Sequence, residues 1–239
     1  MLGRDPLIPP KRLQRYGRRE FAETGDAYLG HLLDLTGLQP GHRVLDVGCG
    51  TGRVARPLAR YLRTRAGGVY EGFDVDRDAI GWSRRAYRRH HHMRFLRADL
   101  FHPRFHPGGA HTAAEYRFPY DDASFDLVVA TSIFPHLLEA ETEHYLAEIG
   151  RVLAPGGTLF ATFFVLDDAS RAAIAGGTAT FAFLDADQHV AVVSDDLPDE
   201  AVAYDRNWLA ARAPGQLAVH PGSWRGEEGL DLLDIVVAR

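Results

Sequence analysis

The chain reads as an α/β protein, a Rossmann-like and mostly parallel sheet with helices on both faces, and three observations predict that class. Short β-rich runs alternate with helical patterns from about residue 26 to the C-terminus, the signature of successive β-α units. The run Phe125–Thr131 (FDLVVAT) is almost wholly apolar, as a central parallel strand buried on both faces should be. A glycine-rich turn joins the first strand to the helix after it.

The elements follow in order. Asp26–Leu35 is read as a helix with Tyr28, Leu29, Leu32, Leu33 and Leu35 apolar and Gly37 as its stop. Arg43–Val47 (RVLDV) is the first strand, and a helix runs from about Val54 to Leu62. Gly68–Val75 is the second strand, Ala79–Arg89 the next helix, and Met93–Leu96 the third strand, ending at Ala98-Asp99. Pro103, Pro107, Pro119 and the pair Gly108-Gly109 make residues 101–122 a long, turn-rich excursion. The fourth strand, Phe125–Thr131, is followed by a helix over Thr142–Leu153 with Tyr145, Leu146, Ile149, Val152 and Leu153 on one face. Pro155-Gly156-Gly157 breaks that helix, and Thr158–Val165 is the fifth strand. Beyond it, strands are expected near Ala179–Leu184 and Val190–Val193, a helix near Glu200–Ala211, and a final strand pair at Leu217–His220 and Leu232–Ala238.

A length of 239 residues suits one generous domain. No apolar run approaches the ~20 residues that span a bilayer, and Met1–Arg19 lacks the apolar centre of a signal peptide. The single cysteine, Cys49, excludes an internal disulfide framework. A cytoplasmic protein without a membrane partner is therefore expected. Residues 1–120 carry a net charge of +9 and residues 121–239 a net charge of −14. Solvated helix faces explain the basic half; an anionic partner such as RNA is the sharper reading. One lysine against 26 arginines points to a GC-rich coding sequence of bacterial type.

Chemistry concentrates in Val44-Leu45-Asp46-Val47-Gly48-Cys49-Gly50-Thr51-Gly52-Arg53. Glycines let the backbone approach a ligand closely, and a helix N-terminus offers unpaired N–H groups. The second strand then delivers Asp74, 22 residues past Gly52, where a carboxylate can accept from both hydroxyls of a ribose. The third delivers Asp99 within Arg97-Ala98-Asp99-Leu100. Three consecutive strands thus bring a glycine loop and two carboxylates to one rim, where open α/β sheets bind ligands.

At this point residues 26–165 resemble the class I S-adenosylmethionine-dependent methyltransferases. Val44–Arg53 looks like motif I, Gly72–Val75 like the ribose site, Ala98–Leu100 like the adenine-flanking site and Phe125–Val129 like motif IV. Leu146–Gly157 (LAEIGRVLAPGG) is similar to the helix and turn before strand five. The resemblance implies seven strands in the order 3-2-1-4-5-7-6 with strand seven antiparallel. It places Asp46 near the methionine end of S-adenosylmethionine, with Gly48, Cys49, Gly50 and Gly52 forming the close backbone approach. Asp74 and Val75 fall at the ribose, Asp99 and Leu100 beside the adenine, and Thr131 and Ser132 complete the cofactor-binding set. The product would be S-adenosylhomocysteine. Residues 1–36 would form a helical cover, with Tyr16 or an arginine of Lys11–Phe21 over the cofactor, and 166–200 an acceptor-side insertion, all within one domain.

Other readings fit less well. A nicotinamide dehydrogenase would read G-x-G-x-x-G with a small third residue; here the sixth position is the bulky Arg53. A non-catalytic cofactor-binding protein is the alternative from another class. Ala130-Thr131-Ser132 supplies no carboxylate where metal-dependent relatives carry one, so no metal is expected. The run His90-His91-His92, with His102, His106 and His111, invites a metal reading, but adjacent histidines point in different directions on a helix and no CxxC partner is present, so a solvated helix end is the expected reading. His136, after the motif IV strand, is the candidate catalytic base; the alternative is a helix-capping or packed histidine. His220 and Trp224 read as structural. Asp185, Asp187, Asp195, Asp196, Asp199 and Glu200 make the insertion acidic, which favours a neutral or cationic small acceptor over nucleic acid. Methylation of a small-molecule hydroxyl or amine is the expected activity, with a peptide, protein or RNA as the alternative acceptor class; an oligomer is compatible with the sequence.

Overall fold

The computed structural model describes residues 5–14 and 21–239. The chain divides into two compact units, one running to Thr112 with Ser124–Val129 added, the other comprising Ala113–Ala123 and Ala130–Arg239.

The first unit holds α1 (Phe21–Thr36), β1 (Arg43–Val47), α2 (Ala55–Tyr61), β2 (Val69–Asp74), α3 (Arg77–Ala86), β3 (Met93–Arg97) and all but the last residue of β4 (Phe125–Ala130). Its strands are parallel in the order β3-β2-β1-β4, with Asp46 opposite both Gly72 and Val129. The order reverses beside β1, which is where such sheets open a crevice at their carboxyl ends. Helix α1 begins five residues before the expected Asp26, because Phe21 and Gly25 are buried along with Tyr28 and Leu32. Helix α3 is capped by Asp76, whose carboxylate accepts from the backbone N–H groups of Asp78 and Ala79 at 2.9 and 3.2 Å. That cap satisfies two of the helix's orphan donors.

The second unit holds α4 (Glu139–Val152), β5 (Leu153–Leu166), α5 (Asp168–Ala175), β6 (Val190–Val192), β7 (Val202–Asp205), α6 (Arg206–Ala210), β8 (Leu217–His220) and β9 (Asp234–Ala238). Strand β5 serves two partners in succession. Its Leu159–Phe163 stretch pairs antiparallel with β9, which pairs antiparallel with β8. Here β9 and β8 take the places expected for an antiparallel seventh strand and a sixth. Its Phe164–Leu166 end pairs parallel with β7, and β7 pairs antiparallel with β6.

Three expectations need correction. Nine strands form among the described residues, not seven. Glu200–Ala211 is not one helix, since Val202–Tyr204 is wholly buried strand and Asp205 caps only the short α6, accepting from Asn207 and Trp208 N–H. Ala179–Leu184 is no strand; only Leu184 makes a bridge, to Val192. Pro155-Gly156-Gly157 lies at the start of β5, with Gly156 at φ +78°.

Beneath β6 and β7, Phe164, Leu166, Phe183, Ala203 and Trp224 form a buried cluster, with Phe164 and Trp224 packed edge to face at 5.2 Å. An ionic network anchors it. Asp234, fully buried, accepts from the N–H groups of Val165 and Gly222, from Trp224 Nε1 and from Arg225 Nε at 2.7–2.9 Å. Arg225 also donates from Nη1 to both oxygens of Asp167 at 2.8 Å. Every charge here has a partner, which is the condition for tolerating charge in an apolar interior. Trp224 is thus structural, as read from the sequence. Replacing Arg225 with Ala should leave Asp234 buried without its counter-charge and cost about 3 kcal/mol or more. Urea denaturation of the variant against the parent protein measures this, and an unchanged midpoint would show the network to be energetically neutral.

Candidate cofactor site

The glycine loop takes its shape from strand pairing. Val47 pairs with Phe73, and the next two N–H groups, of Gly48 and Cys49, both donate to the Phe73 carbonyl at 2.9 and 3.0 Å. The Gly50 N–H then turns onto Asp74 Oδ2 at 2.8 Å, while Asp76 N–H donates to Asp74 Oδ1 at 2.8 Å. Gly50 has φ +51°, and a side-chain carbon there would meet only Asp74 Oδ2, at 3.9 Å. The loop therefore offers bare backbone with open space in front of it and a carboxylate alongside. Gly52 N–H closes onto the Cys49 carbonyl at 2.8 Å, and Tyr87 donates its hydroxyl to the Gly52 carbonyl at 3.1 Å.

Asp46 lies beneath the loop, 2% exposed. Its Oδ2 accepts from the buried Tyr70 hydroxyl at 2.7 Å. Burial pushes the Asp46 carboxyl up to about 7, with the Tyr70 hydrogen bond and the charge of Arg53 acting against that rise. Asp74 is also raised, by burial first, while N–H donors from Asp76 and Gly50 pull it down. The Cys49 thiol is buried and pushed well up by desolvation and by Asp46 and Asp74, so it is no nucleophile. Val75 is half-buried and Leu100 buried, while Asp99 is exposed and accepts from His106 Nε2 at 3.0 Å and Ala110 N–H at 3.2 Å, both through Oδ1.

Nine expected cofactor residues thus fall in the first unit: Asp46, Gly48, Cys49, Gly50, Gly52, Asp74, Val75, Asp99 and Leu100. Thr131, Ser132 and His136 belong to the second. There Thr131 is buried, and Ser132 sits at φ +58° with its N–H donated to Thr162 Oγ1 at 2.8 Å. A non-glycine residue at positive φ is strained and points to a local constraint. His136 is exposed, and its Nδ1 lies 3.1 Å from the Asp199 carbonyl. A carbonyl can only accept, so Nδ1 is the donor, and whenever the ring is neutral the lone pair is on Nε2. Tyr16 lies outside the described residues.

Sequence reasoning missed the parts played by Tyr70 and His106, and it placed Gly72 at the ribose segment without the reason for a glycine there. Tyr70 carries a readable signal, since a tyrosine in a buried strand needs a partner for its hydroxyl. Gly72 is required by contact: a side-chain carbon there would lie 2.8 Å from both Cys49 Cβ and the Tyr70 hydroxyl. His106 has no such signal, because its partner Asp99 is reached only through the fold of the excursion.

A methyltransferase domain model matches residues 45–161. The chain carries a methyltransferase domain of the class I, S-adenosylmethionine-dependent family. The domain is similar to the methyltransferase GfsG of Streptomyces halstedii, 31% identical over 163 residues, covering 65% of this chain and 51% of that protein. It is also similar to a fatty-acid O-methyltransferase of Mycolicibacterium smegmatis, 33% identical over 134 residues, covering 54% of this chain and 38% of the relative. The chain thus spans about half or less of these relatives. In fold it matches the PH0226 protein from Pyrococcus horikoshii OT3 with a TM-score of 0.60 at 16% identity, covering 97% of this chain and 99% of that one. No helix among the described residues is long and apolar enough to cross a membrane.

The raised Asp46 carboxyl gives this methyltransferase domain a pH signature. Between about pH 4 and about pH 7 the folded protein holds a proton on Asp46 that the unfolded chain has released. This contribution to stability is therefore present below about pH 4 and declines as pH rises through 7, by at most on the order of 4 kcal/mol. Asp46→Asn should flatten that part of the profile. Melting temperatures from pH 5 to 8 for both proteins decide the matter, and parallel profiles would refute it.

Proposed function

We propose that this protein is an enzyme that transfers a methyl group from S-adenosylmethionine to a hydroxyl or amine of a small molecule, without a metal, mainly by proximity and orientation. The observation that carries the reading is the juxtaposition of Gly50 and Asp74: open backbone at positive φ, hydrogen-bonded to a carboxylate at the end of β2. Asp74 accepts from the Gly50 N–H through Oδ2 and from the Asp76 N–H through Oδ1, with Val75 N–H a further donor, and a carboxylate's two oxygens offer about four acceptor positions, so the cradle fits a ribose. Asp74 and Val75 would hold the ribose, Asp99 and Leu100 the adenine, and Asp46 would lie near the cationic methionine end. Once bound, the cofactor supplies a sulfonium-activated methyl group, and S-adenosylhomocysteine is the product.

The residues of the chain then have three tasks. The glycine loop and the carboxylates orient the donor, and orientation of two reactants can account for much of the acceleration in a direct displacement. Asp46 presents a carboxyl whose ionised form a nearby cation favours. His136, with its proton held on Nδ1 by the Asp199 carbonyl, has Nε2 available to take a proton from a hydroxyl acceptor. Residues 166–200 are assigned to acceptor selection, and their carboxylates suit a neutral or cationic small molecule. The relative that acts on fatty acids is an O-methyltransferase by name, which supports an oxygen acceptor. The excess acidic charge of residues 121–239 argues against nucleic acid.

Calorimetry tests the cofactor assignment directly. Asp74→Ala should weaken S-adenosylmethionine binding by about 1–3 kcal/mol through lost charge-assisted hydrogen bonds, and an undiminished affinity would contradict the ribose assignment. For the base, His136→Gln should lower kcat toward an oxygen acceptor by roughly 10²–10⁴-fold with cofactor affinity unchanged. A kcat within a factor of three of the parent's would remove His136 from the chemistry.

A further inference from the structure

The excursion after β3 folds back on itself in a way the cofactor reading does not use. Phe101 N–H donates to the His111 carbonyl at 2.7 Å and His111 N–H to the Asp99 carbonyl at 3.2 Å. His102 and His106 exchange backbone hydrogen bonds at 3.0 and 2.9 Å, closing a tight inner turn. Gly109 is pressed onto the chain it returns to: a side-chain carbon there would lie 2.1–2.3 Å from backbone atoms of Leu100 and Phe101, so only glycine fits. The His102 ring braces the turn, with Nδ1 accepting from Arg104 and Phe105 N–H at 3.1 and 3.3 Å.

The outcome is a clamp on one carboxylate oxygen. His106 Nε2 at 3.0 Å and Ala110 N–H at 3.2 Å both reach Asp99 Oδ1. The His106 side chain is 15% exposed, whereas that of Asp99 is 61% exposed. Asp99 Oδ2 has no hydrogen-bond partner among the described residues. Left alone, an exposed aspartate samples several rotamers and loses side-chain entropy on binding a ligand. Two donors on Oδ1 remove that freedom beforehand and leave Oδ2 presented to solvent as a pure acceptor.

We propose that His106 is a positioning residue for cofactor recognition: by fixing Asp99 through Oδ1 it aims Oδ2 at the exocyclic amino group of the adenine, and so makes the site selective for a 6-amino over a 6-oxo purine. The inference rests on the assignment of Asp99 to the adenine. An amino group donates to a carboxylate oxygen; a 6-oxo group offers only an acceptor and is repelled by it. The selectivity therefore depends on where Oδ2 points, which is what the clamp determines.

The test compares the affinities of S-adenosylhomocysteine and S-inosylhomocysteine by calorimetry, so that no turnover is needed. The parent protein should prefer the adenosyl compound by roughly tenfold or more, the range of a hydrogen bond to a charged group. His106→Ala should reduce that preference to within about threefold, and His106→Gln, which keeps a donor for Oδ1, should restore most of it. A general loosening of the loop would instead weaken both ligands equally and leave the ratio intact, and that result overturns the proposal. Asp99→Ala separates the two levels of the argument. If it abolishes the preference while His106→Ala keeps it, His106 has no positioning role and the adenine assignment stands. If Asp99→Ala keeps the preference too, the adenine assignment itself fails.

Discussion

The hydrogen bond from the Gly50 N–H to Asp74 joins two features that a cofactor site of this kind needs in one place. It is a consequence of strand register. Because Val47 lies opposite Phe73, the N–H groups of Gly48 and Cys49 converge on the Phe73 carbonyl, and the next donor meets the carboxylate that follows it. The loop can make this turn only because Gly50 accepts a positive φ. The parallel pairing of β1 and β2 thus determines the form of the cradle, and the glycines permit it.

A second layer of support lies under the loop. Tyr70, Gly72 and Cys49 interlock, and the Tyr70 hydroxyl reaches the buried Asp46. Holding a carboxyl in that position is unfavourable for its charged form, which is why burial drives it toward the neutral one. A cation arriving nearby would reverse that balance. On the function proposed above, positive charge would lie by Asp46 and hydroxyl donors by Asp74, two different chemistries supplied by neighbouring strands.

The second unit solves a different problem, that of adding residues after the fifth strand without loosening the sheet. Strand β5 is long enough to pair with β9 along one stretch and with β7 along the next. Asp234, at the start of β9, binds Val165 of β5, and Arg225 links Asp234 to Asp167 at the head of α5. The start of α5, the Trp224-Arg225 turn and the start of β9 are therefore tied to the same end of β5. Around that point Phe164 and Trp224 supply the apolar contacts, so charge and packing coincide.

Hydrophobic patterning along the chain determined by itself the α/β class, the first five strands, the glycine loop and the acidic residues at the ends of β2 and β3, because each is written within a few adjacent residues. The same local reading failed at Val202–Tyr204, where a helix was expected: that segment is strand because β5 offers it a paired edge and the aromatic cluster buries it. It was also silent on Tyr70 over Asp46 and on His106 over Asp99, whose partners lie 24 and 7 residues away. Periodicity reports which face of an element is buried. Which polar groups then meet is decided by register and by the return path of loops, and only the tertiary structure contains those.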